Sequence, residues 1–331
     1  MSKKLFKKIL LLLFVFTIFS FFIHPSVFSW GSYGHKKITR MAVFTLPPQM
    51  IGFYKKHIEY VTEHSNDPDK RKFIDEKEAV RHYIDIDHYG EKPFESMPKK
   101  WDDAVAKYTE DTLNKYGINP WWTEKMYYRL VGAFKNLDVD KILYVSANLA
   151  HYLEDPCVPL HDTKYFDGKT PDQAGIHAFF ETRIPELFGD DYNYFVGQAE
   201  YIDKPVDKIW ENIKSGNEAI DTIFMAWDKL NRQFSDGEKF TFENKGNSTE
   251  KVYSREFAQQ FSVLINNMIE RRMQLAVKTV SSFWYTAWVN AGQPDLSIIE
   301  NKDISDSLKK VHKEQEELWK TGKIKEKEDN E

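Results

Sequence analysis

The sequence predicts an all-α fold, formed by a single compact domain of many helices. Apolar residues recur every three or four positions rather than at alternate ones, as at Ile142, Val145 and Leu149, and this is the spacing of one helix face. Proline, glycine and asparagine separate such segments, for example at residues 117–120. With 41% hydrophobic and 15% aromatic residues, the chain can bury a core that is large enough for one domain.

The same periodicity locates the remaining helices in chain order. We expect them at residues 36–46, 49–63, 101–115, 122–136, 174–183, 206–232 and 253–290. The stretch from Ser235 to Ser248 is either a small hairpin or an irregular excursion, and its sequence is compatible with both.

The domain is predicted to span residues 30–295, because Gly292 and Pro294 should stop the last long helix. Residues 296–331 are rich in charges of both signs and poor in aromatic residues. We expect them to form a charged, largely disordered tail, with a short amphipathic helix from Leu308 to Trp319 as the alternative.

The amino terminus has the layout of a secretory signal peptide. Four lysines within the first eight residues precede a nearly unbroken apolar run from Ile9 to Ile23. This run is shorter than the roughly 20 residues that span a bilayer, and Ser29 suits a small-residue cleavage site. We expect residues 1–29 to be removed and the mature protein to be periplasmic or secreted. The alternative is an uncleaved leader that anchors the chain in a membrane.

Removal of the leader would make the protein more acidic. The formal net charge of −5 becomes −9 when the four leader lysines are lost. A non-specific nucleic-acid binder usually has a basic face, so an anionic substrate must be attracted locally, as bound metal would do. Cys157 is the only cysteine, so no intramolecular disulfide can form.

Histidines and acids are concentrated between residues 151 and 181. His151 with Asp155, and His177 with Glu181, are four positions apart, which stacks both side chains of each pair on one helix face. His161 follows a proline-terminated helix, where a turn can bring it back to the same place. Since unpaired buried charges cost several kcal/mol, these residues in an apolar segment predict a metal site, and zinc suits such nitrogen and oxygen ligands.

Two further segments give the pattern a specific resemblance. Trp30 and His35 lie at the predicted mature amino terminus, and His82 follows Asp67 and Asp69. The whole set resembles the zinc-dependent phospholipase C and S1/P1 nuclease superfamily of trinuclear zinc phosphodiesterases. Mature chains of that superfamily begin with a tryptophan that chelates zinc through its amino nitrogen and carbonyl oxygen.

The resemblance implies an all-helical fold and three zinc ions held by residues of this chain. The implied ligands are the Trp30 main chain, His35 and Asp155 for the first ion; Asp67, His82, His151 and a bridging Asp155 for the second; and His161, His177 and Glu181 for the third. Asp69 competes with Asp67 as a ligand, and the spacing favours Asp67. Asp67 would also orient the attacking water or act as general base.

The sequence departs from both branches of the superfamily. Glu154 replaces a small residue of the phospholipase signature, and Lys164 replaces an asparagine. The short gap between His161 and His177, and the acid being Glu181, are phospholipase-like, whereas the spacing from Trp30 to His35 is nuclease-like.

These observations predict an exported zinc-dependent phosphodiesterase that hydrolyses phosphate esters with a metal-activated water, in the manner of a phospholipase C. The alternatives are a nuclease of the S1/P1 type and a non-catalytic, zinc-stabilised helical protein, the last being favoured if Glu154 and Lys164 block the substrate. The expected partner is a phospholipid head group or single-stranded nucleic acid, with contact at a membrane surface in the first case. The sequence indicates no obligate protein partner.

Overall fold

The computed structural model of the protein describes residues 30–246 and 248–321. It is mostly helical, at 68%, with a single small hairpin in the described part, so the predicted all-α compact domain is confirmed. The predicted signal peptide lies outside the described residues, and so do residues 322–331. Among the described helices, none is long and apolar enough to cross a membrane.

The helices and strands follow one another with short connections. The first half of the chain contains α1 (Gly31–Val43), α2 (Pro48–Lys56), α3 (Ile58–His64), α4 (Asp67–Arg71), α5 (Pro93–Ser96), α6 (Trp101–Tyr108), α7 (Glu110–Tyr116), α8 (Asn119–Lys135) and α9 (Val139–Glu154). The second half contains α10 (Ile176–Ala178), α11 (Ile184–Phe188), α12 (Pro205–Asn217), α13 (Ile220–Gln233), α14 (Asp236–Lys239), β1 (Phe240–Lys245), β2 (Ser248–Tyr253), α15 (Arg255–Leu264), α16 (Met268–Asn290) and α17 (Asp306–Thr321).

Single helical turns complete the architecture. Turns of 3-10 type occur at Ala79–Arg81, Ile86–Tyr89, Asp155–Cys157, Pro159–His161, Pro171–Gln173 and Leu296–Ile298, and one π-helical turn occurs at Phe179–Arg183.

Helix α9 lies at the centre of the domain and is buried on nearly all sides, in contact with α1, α3, α8 and α16. A helix that is apolar around its whole circumference has no solvent face and belongs in a core. The packing with α16 is fixed by polar contacts as well, because the Trp284 indole nitrogen donates to the carbonyl oxygen of Ser146 over 3.2 Å. The Tyr54 ring stacks on Trp284 with 4.7 Å between ring centroids.

Several of the predicted long helices are divided in two. The predicted helix 101–115 breaks at Thr109, whose φ of 69° is left-handed, and the Thr109 hydroxyl oxygen then accepts the backbone N–H of Thr112 to start α7. The predicted helix 253–290 breaks at Asn266 and Asn267, which have φ values of 51° and 50°. Asparagine tolerates this conformation better than most residues, so the second break follows from a local backbone preference that periodicity does not reveal.

The segment that the sequence leaves open forms an antiparallel hairpin. Strands β1 and β2 pair with Phe240 opposite Tyr253. The Tyr253 ring contacts Phe179, 4.7 Å away between centroids, and Arg183 forms an ion pair with Glu243 at 2.6 Å. The hairpin therefore packs against the segment that carries Glu181.

The carboxyl-terminal tail contains the helix that the sequence gives as an alternative. Residues 306–321 form the helix α17, which lies against α4 and includes the expected segment from Leu308 to Trp319, while the expected disorder of the tail stays a prediction. Helix α17 has no buried residue. Its polar composition is the reason that disorder is expected from the sequence. The position of the helix depends on contacts with side chains that are distant in sequence.

Candidate metal centre

Buried histidines and acids converge at the carboxyl end of α9. In each of three groups the possible ligand atoms all lie within 4.8 Å of one another: His35, Asp69 and His151; His82, His151 and Asp155; and His161, His177 and Glu181. We call these eight residues the central cluster. All are buried, and the most exposed of them, His161, has only 6% of its surface accessible.

Two prolines position the end of α9 and the residues that follow. Pro156 has no backbone N–H and Pro159 limits the next turn, so α9 passes into the two short turns Asp155–Cys157 and Pro159–His161. These turns bring His161 back towards the centre. Its Nδ1 atom donates to the carbonyl oxygen of His82 over 2.9 Å, which fixes the ring.

Asp155 belongs to the second group, with His82 and His151, and also lies close to His35 of the first group. One of its oxygens, Oδ2, is 3.1 Å from His82 Nδ1 and 3.6 Å from His151 Nε2. The other, Oδ1, is 3.7 Å from His35 Nε2 and 3.9 Å from His161 Nδ1. This is the placement that a carboxylate shared by two ions requires, although the bridging role itself stays a prediction.

The structure brings Asp69 to the central cluster, whereas the sequence favours Asp67 as the ligand. Asp69 lies 3.6 Å from His151 Nε2, 3.7 Å from His82 Nδ1 and 4.0 Å from His35 Nε2. Asp67 lies outside the central cluster and contacts His64 instead, at 2.6 Å. The two acids are two positions apart in α4, and residues at that spacing do not share a helix face, so only one of them can face the cluster.

The third group is built around Glu181. Its Oε2 atom is 3.2 Å from His161 Nε2 and 3.0 Å from His177 Nε2. Glu181 lies in the π-helical turn rather than in a regular α-helix, and such turns occur frequently at functional sites. The predicted pairing of His177 with Glu181 is therefore present as a contact, on a locally widened helix.

Trp30 places its main chain beside this third group. The backbone nitrogen of Trp30 donates to Glu181 Oε2 over 3.1 Å, and the buried indole nitrogen donates to the carbonyl oxygen of Glu154 over 2.8 Å. Trp30 and Gly31 both have left-handed φ values, 39° and 44°. A Cβ atom at Gly31 would come within 2.8 Å of the Thr182 side chain, so glycine permits this close approach.

Glu154 contacts the central cluster, a position that sequence reasoning did not give it. The sequence marks it as a departure from the phospholipase signature, which favours the non-catalytic alternative if it blocks the substrate. In the structure it is fully buried; its Oε2 accepts from His35 Nδ1, and its Oε1 accepts from the Thr39 hydroxyl over 2.7 Å. Glu154 therefore orients His35. The sequence does contain a signal for this role, because Glu154 is an acid directly before Asp155 in an otherwise apolar helix.

Backbone carbonyl oxygens indicate which ring nitrogen carries the proton in two of the histidines. Carbonyl oxygens only accept, so the bond from His151 Nδ1 to Ser65 O, at 2.8 Å, places the proton on Nδ1 and leaves Nε2 with a lone pair. The bond from His161 to His82 O has the same consequence. His82 is reversed: its Nε2 lies 3.6 Å from Glu78, and its Nδ1 lies 2.9 Å from His151 Nε2, to which it can donate. Binding of an ion between His82 and His151 would require this contact to open. Partners of this kind fix metal-binding imidazoles in known sites.

Burial dominates the electrostatics of the central cluster. It lowers the pKa of His82 to about 4 and that of His151 well below its usual value, with nearby positive charge adding to both shifts. Burial also raises the pKa of Asp155 well above its ordinary range, and the neighbouring Asp69 adds to this. For Glu181 burial alone would raise the pKa, but contacts with His177 and His161 outweigh it and hold the pKa at about 2.

The arrangement fits divalent metal ions. His35 Nε2 and Glu181 Oε1 are buried and have no hydrogen-bond partner among the described residues. Leaving such atoms unpaired costs about 1–3 kcal/mol each, and cations bound to this nitrogen and this carboxylate would remove the cost. A set of imidazoles and carboxylates without thiolates suits zinc and related ions.

The fold and the site thus define the class of this protein: an all-helical single domain with several buried His/Asp/Glu clusters that could bind metal ions. A scan against known protein families and a search of curated proteins find no match for this chain.

Proposed function

We propose that this chain is an exported zinc-dependent phosphodiesterase. The observation that carries the proposal is the position of Asp155, whose two oxygens face His35 on one side and His82 with His151 on the other. Adjacent metal sites that share a carboxylate are the arrangement that clamps the oxygens of a phosphate ester. The sequence resemblance to the zinc-dependent phospholipase C and S1/P1 nuclease superfamily supports the same reading.

The charges of the central cluster support an anionic substrate. The acids Asp69, Asp155 and Glu181 of the cluster and the adjacent Glu154 are buried, and the partly buried cation Lys72 places its Nζ 2.7 Å from Asp69 Oδ1. Two or three divalent ions would exceed this net negative charge. The site would then attract phosphate locally on a protein whose overall charge is negative.

The residues of this chain have distinct roles in the proposed reaction. When bound, divalent zinc would supply Lewis acidity and a water of lowered pKa. Glu154 holds a proton on His35 Nδ1, and Ser65 and His82 do the same for His151 and His161 through their carbonyl oxygens. Asp69 takes the role that the sequence analysis gives to Asp67, because it is the acid of α4 that faces the cluster and can orient water or accept its proton.

Substrate would approach from the side of the third group. His161 and His177 retain 6% and 4% exposure, whereas His35, His151 and Asp155 have none. The Phe166 ring lies 5.7 Å from the His177 ring, and Tyr165 is 36% exposed. A phospholipid head group is the substrate we favour, which would bring this face to a membrane surface. Single-stranded nucleic acid is the alternative, because exposed rings can stack on bases.

One observation favours a second candidate function. Every residue of the central cluster is buried, and closed coordination without access for substrate is typical of structural zinc sites. A zinc-stabilised helical protein without catalysis would have the same cluster, so turnover must be measured directly.

The test uses protein expressed with its own leader, purified from the exported fraction and loaded with zinc. Zinc content and hydrolysis of phospholipid vesicles, single-stranded DNA and RNA are measured for the native protein, for Asp155→Asn and for the control Asp191→Asn at an exposed position. We expect Asp155→Asn to lose zinc and turnover and the control to keep both. Full zinc without turnover on any substrate would establish the non-catalytic alternative, and full activity in Asp155→Asn would overturn the shared-carboxylate assignment.

A further inference from the structure

We propose that His64, Asp67 and His312 form a separate binding site for one divalent transition-metal ion, which ties the carboxyl-terminal helix α17 to the body of the domain. We call these three residues the peripheral site. His64 ends α3, Asp67 begins α4 and His312 lies on α17. The sequence alone gives His64 and His312 no role, because 248 positions separate them.

The ligand atoms of the peripheral site already face one another. His64 Nδ1 is 2.6 Å from Asp67 Oδ2, and His312 Nδ1 is 3.6 Å from the same oxygen. All the candidate atoms lie within 4.8 Å of one another. Ligands about 2.0–2.2 Å from a tetrahedral zinc ion are about 3.3 Å apart. An ion could therefore replace the proton shared by His64 and Asp67 if the ligand atoms shift by about 1 Å and the stacked His64 and His312 rings tilt so that both nitrogens point at it.

The ring of His312 is held in the orientation that metal binding needs. Its Nε2 lies 2.7 Å from the Tyr60 hydroxyl oxygen. Its Nδ1 is buried, faces Asp67 and has no hydrogen-bond partner among the described residues. In metal-binding histidines the ring nitrogen opposite the metal is usually hydrogen-bonded, as Nε2 is here. The His64 and His312 rings stack with 3.8 Å between centroids.

The surroundings leave room for an ion and indicate its class. A cavity of about 70 Å³ adjoins the site and is lined by both histidines, Asp67, Lys70, Arg71 and Glu316, among others. This volume can hold water to complete the coordination, since a water molecule occupies about 30 Å³. Lys70 lies 3.0 Å from Asp67 Oδ1 and offsets negative charge. Two imidazoles and one carboxylate in nearly neutral surroundings suit zinc, cobalt or nickel better than calcium or magnesium.

Helix α17 needs an attachment of this kind. It has no buried residue, and an isolated helix of this length is marginal in water. Its contacts with the body include the Tyr60 bond to His312, the contact of His312 with Asp67, the stacking of His312 on His64, and Lys70 at 5.8 Å from the centroid of the Trp319 ring. An ion that binds only the docked arrangement would stabilise it by mass action.

The peripheral site is distinct from the central cluster. Asp67 contacts the peripheral histidines, whereas Asp69 contacts His35, His82 and His151. Metal can therefore be lost from one place and kept at the other, so the peripheral proposal and the proposed phosphodiesterase activity can fail independently.

The experiment compares the exported protein with two matched variants on α17. His312→Gln keeps a side chain that can hydrogen-bond Tyr60 and removes the ligand nitrogen, and Lys310→Ala changes an exposed residue of the same helix. Each protein is stripped with a chelator and reloaded with zinc. Bound zinc per chain and hydrogen exchange of residues 306–321 are measured with and without the metal.

We expect zinc to slow exchange in α17 of the native protein and of Lys310→Ala by at least about 10-fold. His312→Gln should bind one zinc fewer per chain and show no such response. Asp155→Asn, which tests the central cluster, should keep the response of α17 even if activity is lost. The proposal is overturned if His312→Gln binds as much zinc as the native protein, if zinc leaves exchange in native α17 unchanged, or if Asp155→Asn abolishes the response.

Discussion

The backbone nitrogen of Trp30 lies 3.1 Å from Oε2 of Glu181. In the chain as described this nitrogen belongs to a peptide bond and can only donate a proton. Cleavage before Trp30 would convert it into an amine with a lone pair, at a position next to the third group. Export and metal binding would then be linked through a single atom.

The first prediction concerns an extended amino terminus. We expect protein with one extra glycine before Trp30 to bind zinc at the central cluster at least about 10-fold more weakly than protein that begins at Trp30, since loss of a partner even outside the direct ligands costs about 10–100-fold. Mass spectrometry establishes the terminus, and zinc titration measures affinity. Equal affinity for the two forms would show that the Trp30 nitrogen is not a ligand.

The second prediction concerns Glu154. Glu154→Ala removes the acceptor that orients His35 and leaves the Thr39 hydroxyl without its partner, so we expect zinc affinity to fall by about 10–100-fold. The matched control is Glu186→Ala, at an exposed position. A variant with unchanged zinc content and raised turnover would instead indicate that Glu154 blocks the substrate, the condition under which the sequence favours a non-catalytic protein.

Local pairs could be predicted from the sequence, whereas the choice among neighbours could not. His151 with Asp155 and His177 with Glu181 follow from helical spacing, and both pairs are in contact. The choice between Asp67 and Asp69 depends on how the five-residue helix α4 is turned relative to α9, which spacing does not encode. Likewise, His312 meets His64 only because α17 packs on α4, and the tail's composition gives no sign of that contact.

The third prediction concerns pH. The pKa of His82 is about 4 and that of His151 is well below normal, so these rings stay neutral far below the ordinary histidine pKa of about 6.5. Burial raises the pKa of Asp155, so in metal-free protein a proton competes for this carboxylate at higher pH than for an ordinary aspartate. Metal affinity should therefore fall as pH falls, first through Asp155, and then through His82 near pH 4.

Zinc retained after dialysis at steps between about pH 8 and about pH 4 measures this order. In Asp155→Asn, which cannot take up the proton, the remaining zinc should be insensitive to pH until the histidines titrate. A single loss of zinc centred near the ordinary histidine pKa in both proteins would contradict the order and would show that the rings are less shielded than their burial implies.

The last prediction separates the two acids of α4. Asp69→Asn leaves the size of the side chain unchanged but weakens its binding to metal and its ability to accept a proton, so we expect turnover to fall by at least about 100-fold, as for loss of a general base. Asp67→Asn should spare the zinc of the central cluster and lower the zinc-dependent protection of α17. Zinc content, turnover and hydrogen exchange of residues 306–321 are measured on both variants.

The opposite pattern, with turnover lost only in Asp67→Asn, would restore the assignment that spacing favours. It would also mean that α4 turns by roughly half a helical turn when metal binds, because residues two apart lie on different faces and only one can point at α9 at a time.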